Sequence, residues 1–206
     1  MCSEVRRFGV LCVVSGPSGS GKTTLCHRAA AELPGVVYSV SCTTRPPREG
    51  EVDHVDYHFL GRGDFEERIG RGEFLEYALV HQKHYYGTLK AEVLEHLRNG
   101  RDVVMDLDVQ GAAQLRASGD EEIRRSLVDV FILPAGPREL EARIRGRGAM
   151  PEEEIHRRLR NAEGEMAHRG AYAYTLVTGD REEDFARFTA ILEAERMRSS
   201  RLRVAP

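Results

Sequence analysis

Phe8-Gly-Val-Leu-Cys-Val-Val-Ser15-Gly16-Pro17-Ser18-Gly19-Ser20-Gly21-Lys22-Thr23-Thr24 is the stretch from which the rest of the chain can be read. Its first half is a continuous apolar run without polar alternation, the pattern of a strand covered on both faces. Its second half fits G-x-x-x-x-G-K-[ST] and runs into Lys22–Leu33, a segment of good helix formers that stops before Pro34-Gly35. Glycines at this spacing let backbone N–H groups turn inward around an anion, and the helix N-terminus adds partial positive charge. Gly16, Pro17, Ser18, Gly19, Ser20, Gly21, Lys22, Thr23 and Thr24 are therefore the expected phosphate site. Lys22 would reach the β- and γ-phosphates, and Thr23 would offer a hydroxyl to Mg²⁺. The motif predicts a nucleoside triphosphate and is silent about an acceptor.

Strand and helix signals alternate on both sides of a break. Val36–Ser41 reads as a short strand, Asp102–Leu107 and Val128–Leu133 as further strands, and Tyr174–Thr178 as a last one. Helices are expected at Val109–Ala117, Pro137–Ile144, Glu152–His168 and Glu182–Met197, the last with Phe185, Phe188 and Leu192 on one face. This alternation predicts an α/β chain with a central parallel sheet and helices on both faces. From Cys42 to about Asn99 the pattern changes to prolines, glycines, histidines and short aromatic segments, with helices only near Asp64–Ile69 and Leu89–Leu97. A mostly β insertion is expected there, and Ser199–Pro206 is expected to fray.

Composition excludes several classes. The 206 residues fit one domain, and a net charge of −3 gives no footprint for nucleic acid or membrane. The longest apolar run, Val10–Val14, is far too short to span a bilayer, and no secretory signal pattern is present. Cys2, Cys12, Cys26 and Cys42 lack paired short spacings, and the eight histidines lack ligand spacing, so neither a zinc site nor a disulfide framework is indicated. The expected setting is reduced and cytoplasmic. Lysine occurs only at Lys22, Lys83 and Lys90, and the rest of the 30 basic residues are arginine. Against that background a lysine in the phosphate loop is a sharper signal.

Two further segments carry chemistry. Val103-Val-Met-Asp106-Leu-Asp108 brings Asp106 to the C-terminal edge of a strand, where ligands collect in such sheets. Asp106 would hold Mg²⁺, through water; the lesser alternative is an aspartate that caps the next helix. In Thr44-Arg45-Pro-Pro-Arg48 the prolines favour polyproline II, whose three residues per turn put both arginines on one side. Two guanidinium forks there would clamp a phosphate dianion, with Tyr57 adding a hydroxyl. Alone, the segment reads as well as a solvated basic loop.

Taken together, the phosphate loop, SVSCTTRPPREGE, DYHF, GEFLEY, YYGT, DLDVQG and RIRGRG occur in the order found in guanylate kinases, and the chain resembles that family from about Phe8 to the last helix. The resemblance implies a P-loop kinase: core 1–41, 100–142 and 161–206, a mostly β GMP-binding insertion at about 42–99, and a small lid at about 143–160. It implies Mg²⁺-dependent transfer from ATP to GMP, two small-molecule substrates, and no statement on oligomeric state. Glu76 and Asp108 match the carboxylates that accept from guanine N1–H and its 2-amino group. Ser41 and Thr88 match hydroxyls at the base, and Tyr86 an aromatic residue near the GMP phosphate. Arg143 and Arg147, four apart at a helix end beside glycines, and Arg158 in the next helix match arginines that fold over the phosphates.

The chain departs from the family pattern at three places. His54 stands where glycine is common, the stretch to Tyr86 is one residue longer at His81-Gln-Lys-His84, and Thr178-Gly179-Asp180 replaces a more usual Asn-Asp pair. A non-catalytic relative would be expected to lose the phosphate loop or lid arginines, which are kept here. A kinase for a different small acceptor is opposed by Glu76, Asp108 and the Arg45/Arg48 pair. A GTPase switch is opposed by the absence of an N-K-x-D stretch.

Overall fold

The computed structural model describes residues 5–80, 82–146 and 151–204. The chain opens with β1 (Val5–Arg7), then β2 (Leu11–Ser15), the phosphate loop and α1 (Lys22–Glu32). It continues through β3 (Val36–Tyr38), β4 (Cys42–Thr43), β5 (His58–Phe59), α2 (Arg62–Gly70), β6 (Phe74–Val80), β7 (His84–Leu89) and α3 (Lys90–Arg98). The second half contains β8 (Asp102–Asp106), α4 (Val109–Arg116), α5 (Glu121–Ser126), β9 (Leu127–Leu133), α6 (Pro137–Arg145) and α7 (Glu152–Met166). It closes with β10 (Tyr174–Val177), α8 (Arg181–Arg196) and β11 (Leu202–Val204).

Five strands form one parallel sheet in the order β10-β9-β2-β8-β3. Successive residues of β2 explain why its apolar run is continuous. Leu11 and Val13 enter one core with Phe131, Leu97 and Leu115, while Cys12 and Val14 enter the opposite core with Ile132, Phe188 and Leu192. A strand with helices on both faces has no solvent side on which to place polar residues. The second sheet, β5-β4-β7-β6, is mixed and lies wholly within residues 42–89. A third, small cluster is formed by Leu140 and Ile144 of α6 with Ile155 and Ala162 of α7, so these two helices pack as a pair.

The observed elements differ from expectation in four respects. The single strand expected over Phe8–Ser15 begins at Leu11; before it the Gly9 amide donates to the Leu97 carbonyl (2.8 Å), and a Cβ on Gly9 would lie 1.9 Å from the Arg101 carbonyl oxygen. The short strand expected over Val36–Ser41 ends at Tyr38. An unexpected helix, α5, is nucleated by Asp120, whose Oδ1 accepts from the amides of Glu122 (2.9 Å) and Ile123 (3.2 Å). Of the end expected to fray, residues 199–204 are instead held, and Ala205 and Pro206 lie outside the described residues. β11 pairs antiparallel with β1, and the Arg201 guanidinium is fully buried against Glu195 and the Ser126 carbonyl. That pairing joins the two ends of the chain and has no local sequence signal.

The ends meet a second buried charge. Asp102 is inaccessible and takes Arg7 on one oxygen and Arg196 (2.6 Å) on the other, while Oδ1 also accepts from the Val10 amide at 2.8 Å. Removing one partner of a buried ion pair strands the other, at a cost of about 3–5 kcal/mol. Asp102→Ala should therefore lower the free energy of urea unfolding by about that amount. A change below about 1 kcal/mol would mean that solvent already compensates the two guanidinium groups.

Candidate active site

The phosphate loop lies between β2 and α1, as its spacing requires. Gly16, Gly19 and Gly21 have φ of +142°, +90° and +94°, and a Cβ on Gly16 would lie 2.4 Å from the Ile132 carbonyl oxygen. These glycines are needed both for left-handed backbone and for close approach of the neighbouring strand. The Ser20 amide closes the turn on the Pro17 carbonyl at 3.0 Å. The Lys22 ammonium spans the loop, donating to the carbonyls of Gly16 (2.6 Å) and Pro17 (3.1 Å). Arg143 reaches the same loop from α6, donating to the Ser20 carbonyl at 3.1 Å while pairing with Glu139 at 2.5 Å.

Beside the loop, Thr23 Oγ1 donates to Asp106 Oδ2 at 2.7 Å. Asp106 closes β8, which lies next to β2 in register Val14↔Asp106. This hydroxyl and carboxylate are hard oxygen donors at the end of a phosphate loop. They suit Mg²⁺, which binds through one or two protein oxygens plus water and substrate phosphate. Among the described residues no group of three or more His, Cys, Asp or Glu side chains could hold a metal unaided, which the same chemistry does not require.

From Thr23 and Asp106 a cleft of about 400 Å³ runs to the second sheet. Ser41, Tyr57, Glu76, Tyr86 and Asp108 line it, so five of the expected acceptor-side residues share one cavity with the expected metal side. Glu76 is 7% exposed and faces inward where the β6–β7 ladder shifts register between Phe74 and Glu76. Burial pushes its carboxyl up to about 7 from the ordinary 4.5, with a small further rise from the Asp108 charge and an opposing hydrogen bond from Thr88. Thr88 lies opposite Glu76 in the ladder, is 1% exposed, and donates its hydroxyl to Glu76 Oε1 at 2.8 Å. Thr88, expected at the base, bonds the carboxylate expected there and orients it.

Asp108 faces the cleft but its Oδ1 caps α4, accepting from Gln110 (3.0 Å) and Gly111 (2.8 Å). The capping role raised as an alternative for Asp106 thus falls to Asp108. The helix end also faces Glu76: a Cβ on Gly111 would lie 3.3 Å from Glu76 Oε2.

Arg45 is held in a fork-to-fork pair with Glu51 (2.8 and 2.9 Å), its guanidinium 5.3 Å from the Tyr57 ring centroid. Tyr57 and Tyr86 meet edge-on at 6.0 Å. Arg48 is exposed, and its amide, not its guanidinium, donates to Glu51 at 2.7 Å. Arg158 pairs with Glu154 of its own helix at 2.8 Å. Arg147 lies outside the described residues, as does His81 of the lengthened loop. The departure at His54 is visible in its backbone, φ +65°, a conformation that glycine adopts without strain.

Three site residues carried no readable signal. Glu51 occupies the Arg45 fork, and Tyr38 donates to Asp106 at 2.6 Å. Glu165, near the end of α7, lies beside the phosphate loop; burial raises its carboxyl, and the nearby Lys22 ammonium opposes that rise. Tyr38 and Glu165 reach the site through tertiary packing, and Glu51 through a turn that closes six residues after Arg45.

A triphosphate-type loop whose Thr23 shares one cleft with Asp106 and with a buried carboxylate on the second sheet defines a nucleoside monophosphate kinase. The guanylate kinase family pattern matches residues 9–195 of this chain. The guanylate kinase of Paramagnetospirillum magneticum is 43% identical over 197 residues, covering 96% of this chain and 90% of that protein. That of Maricaulis maris is 45% identical over 196 residues, covering 95% and 88%. The crystal structure of guanylate kinase from Anaplasma phagocytophilum superposes with a TM-score of 0.75 at 31% identity, covering 97% of this chain and 92% of that one. The chain belongs to the guanylate kinase family. Among the described residues no helix is long and apolar enough to cross a membrane.

Proposed function

We propose that this chain, in the cytoplasm, transfers the γ-phosphoryl group of ATP to GMP in a Mg²⁺-dependent reaction, giving ADP and GDP. The observation that carries the reading is the single cleft lined by Thr23 and Asp106 on the central-sheet side and by the buried carboxylate of Glu76 on the second sheet. Guanine presents two donors, N1–H and the 2-amino group, to a carboxylate; adenine presents an acceptor at N1 and no 2-amino group. A buried acceptor left facing an acceptor is costly, which is how such a site rejects the wrong base.

The phosphate loop would hold the ATP phosphates by its amides, with Lys22 on the β- and γ-phosphates. Thr23 and Asp106 would hold Mg²⁺, which supplies charge neutralisation between the phosphates when bound. Arg45, Arg48, Tyr57 and Tyr86 would take the GMP phosphate, for which the dianion must displace Glu51 from the Arg45 fork. Ser41 would face the base beside Glu76 and Asp108. The attacking α-phosphate oxygen of GMP is already anionic, so no general base is required. The new bond forms between that oxygen and the γ-phosphorus as the bond to the β,γ-bridging oxygen breaks, and ADP leaves with the electron pair. Lys22, Arg143, Arg147 and Arg158 would balance the charge spread over the transferring group, the last two after residues 143–160 close as a lid.

A coupled assay of ADP release with GMP, AMP, CMP and UMP tests the reading. GMP should exceed AMP in kcat/KM by at least about 10³, the order reached where a site hydrogen-bonds the group that distinguishes its substrate. Equal rates with AMP, or no ADP formed with GMP, would overturn it.

A further inference from the structure

One contact in the cleft is not used by the roles above. Tyr38 ends β3, the edge strand, in register with Val104 of β8, two residues before Asp106. Its hydroxyl donates to Asp106 Oδ1 at 2.6 Å, while Thr23 donates to the other oxygen, Oδ2, at 2.7 Å. The Tyr38 ring is stacked on His27 of α1, centroids 4.1 Å apart and planes inclined by 30°. Both rings line the cleft.

The two hydroxyls bonded to Asp106 are not equivalent. Thr23 stands at the loop end of α1, where a bound cation would claim its oxygen lone pairs and oblige its proton to reorient. Tyr38 comes from a different strand and is fixed by its stack on His27, so its bond to Oδ1 is compatible with an occupied site. A carboxylate turns easily about its terminal torsion, for which the barriers are low. Pinning one oxygen stops that rotation and keeps the other aimed toward the Thr23 side. Residues that orient a ligating carboxylate are commonly worth 10–100-fold in metal affinity for direct ligands, and less where water intervenes.

We infer that Tyr38 is a positioning residue for the cation site: its hydroxyl fixes the Asp106 carboxylate so that Oδ2 is presented, beside Thr23, to the metal. This rests on the assignment of Thr23 and Asp106 to Mg²⁺ made above. The ring supplies rigidity and the hydroxyl supplies direction, so Tyr38→Phe separates the two by keeping the stack on His27.

The test reads metal binding without turnover. Mn²⁺ is titrated onto the protein–ADP complex and followed by loss of the free-ion EPR signal, for the parent, Tyr38→Phe, Asp106→Asn and the double variant. Steady-state rates give the half-saturating Mg²⁺ and the KM for GMP. Tyr38→Phe should weaken Mn²⁺ binding about three- to tenfold and raise half-saturating Mg²⁺ by the same factor, with the KM for GMP within about twofold of the parent. In the Asp106→Asn background the same change should add nothing, because the hydroxyl acts through that carboxylate. Weakened binding in Asp106→Asn with parental binding in Tyr38→Phe would overturn the inference and leave the metal assignment standing. Parental binding in both variants would overturn both. A full-sized Tyr38→Phe effect persisting in the Asp106→Asn background would also overturn it, since the hydroxyl would then act by another route.

Discussion

Replacing Lys22 with alanine is expected to reduce kcat by about 10³-fold while leaving GMP affinity within about twofold of the parent. The asymmetry follows from where the ammonium sits. It spans the phosphate loop, bonded to the Gly16 and Pro17 carbonyls next to Thr23, whereas Glu76 belongs to the second sheet. The loop amides survive the substitution, since they are set by the left-handed glycines and the Ser20–Pro17 turn, so ATP should still bind with modest loss. What disappears is a fixed positive charge beside the transferring phosphoryl group, whose negative charge spreads most in the transition state. Single-turnover rates with saturating ATP, together with calorimetric GMP titration, measure both quantities. Turnover within tenfold of the parent would remove the phosphate-loop assignment. Lys22→Met, which keeps most of the apolar stem, should be as inactive as Lys22→Ala if charge and not packing is responsible.

How far the sequence carries depends on how local each cause is. The five-stranded sheet was legible because a strand buried on both faces is mainly apolar, and β2, β8 and β9 show that, with Asp102 and Asp129 as buried, ion-paired exceptions. The phosphate loop was legible because backbone geometry dictates glycine at fixed spacing. Asp106 was legible because a lone carboxylate at the end of an apolar strand is conspicuous. Glu76 was legible only through family resemblance. The segment Gly72-Glu73-Phe-Leu-Glu76 holds two glutamates, and nothing local separates them. The fold does: Glu73 is exposed to ion pairs with Arg68 (2.9 Å) and Arg71 (2.7 Å), whereas Glu76 is buried against Thr88 and the start of α4.

Most of the residues that escaped notice are those whose partners lie far along the chain. Tyr38 and Asp106 are separated by 68 positions, and in the sequence Tyr38 reads as one more apolar residue of a short strand. Glu51 looked like part of a solvated charged loop, yet its position six residues after Arg45 lets the turn close a fork-to-fork pair. The held C-terminus was missed for the same reason, because β11 finds its partner at the opposite end of the chain. Pairing across such separations is decided by the assembled sheet and leaves no periodicity to read.

Glu76→Gln is expected to lower kcat/KM for GMP by about 100-fold and, at pH 8, to stabilise the ligand-free protein by up to about 3 kcal/mol. The loss comes from replacing two acceptor oxygens with one acceptor and one donor, so that an amide N–H faces a guanine N–H. The gain comes from burial. In the folded protein the Glu76 carboxyl is pushed up to about 7 from the ordinary 4.5. Below pH 4.5 both folded and unfolded chains carry the proton and no penalty arises. Between 4.5 and 7 the unfolded chain has released it and the folded chain has not, so stability falls as pH rises, and above 7 the full cost is present. Glutamine accepts from Thr88 through its carbonyl and carries no charge to desolvate, so it avoids that cost. Urea unfolding at pH 8 and pH 5 should therefore separate the two proteins widely at the first and much less at the second. The same proton links binding to pH. Guanine donors favour the ionised carboxylate, so the KM for GMP should rise toward tenfold per unit as pH falls below 7, a slope that Glu76→Gln should flatten. The GMP phosphate itself titrates near 6 in both proteins. The difference between the two profiles, and not either one alone, isolates the carboxyl. Equal slopes, or a Gln variant no more stable at pH 8 than the parent, would mean that Glu76 is ionised without cost and that base selection rests elsewhere.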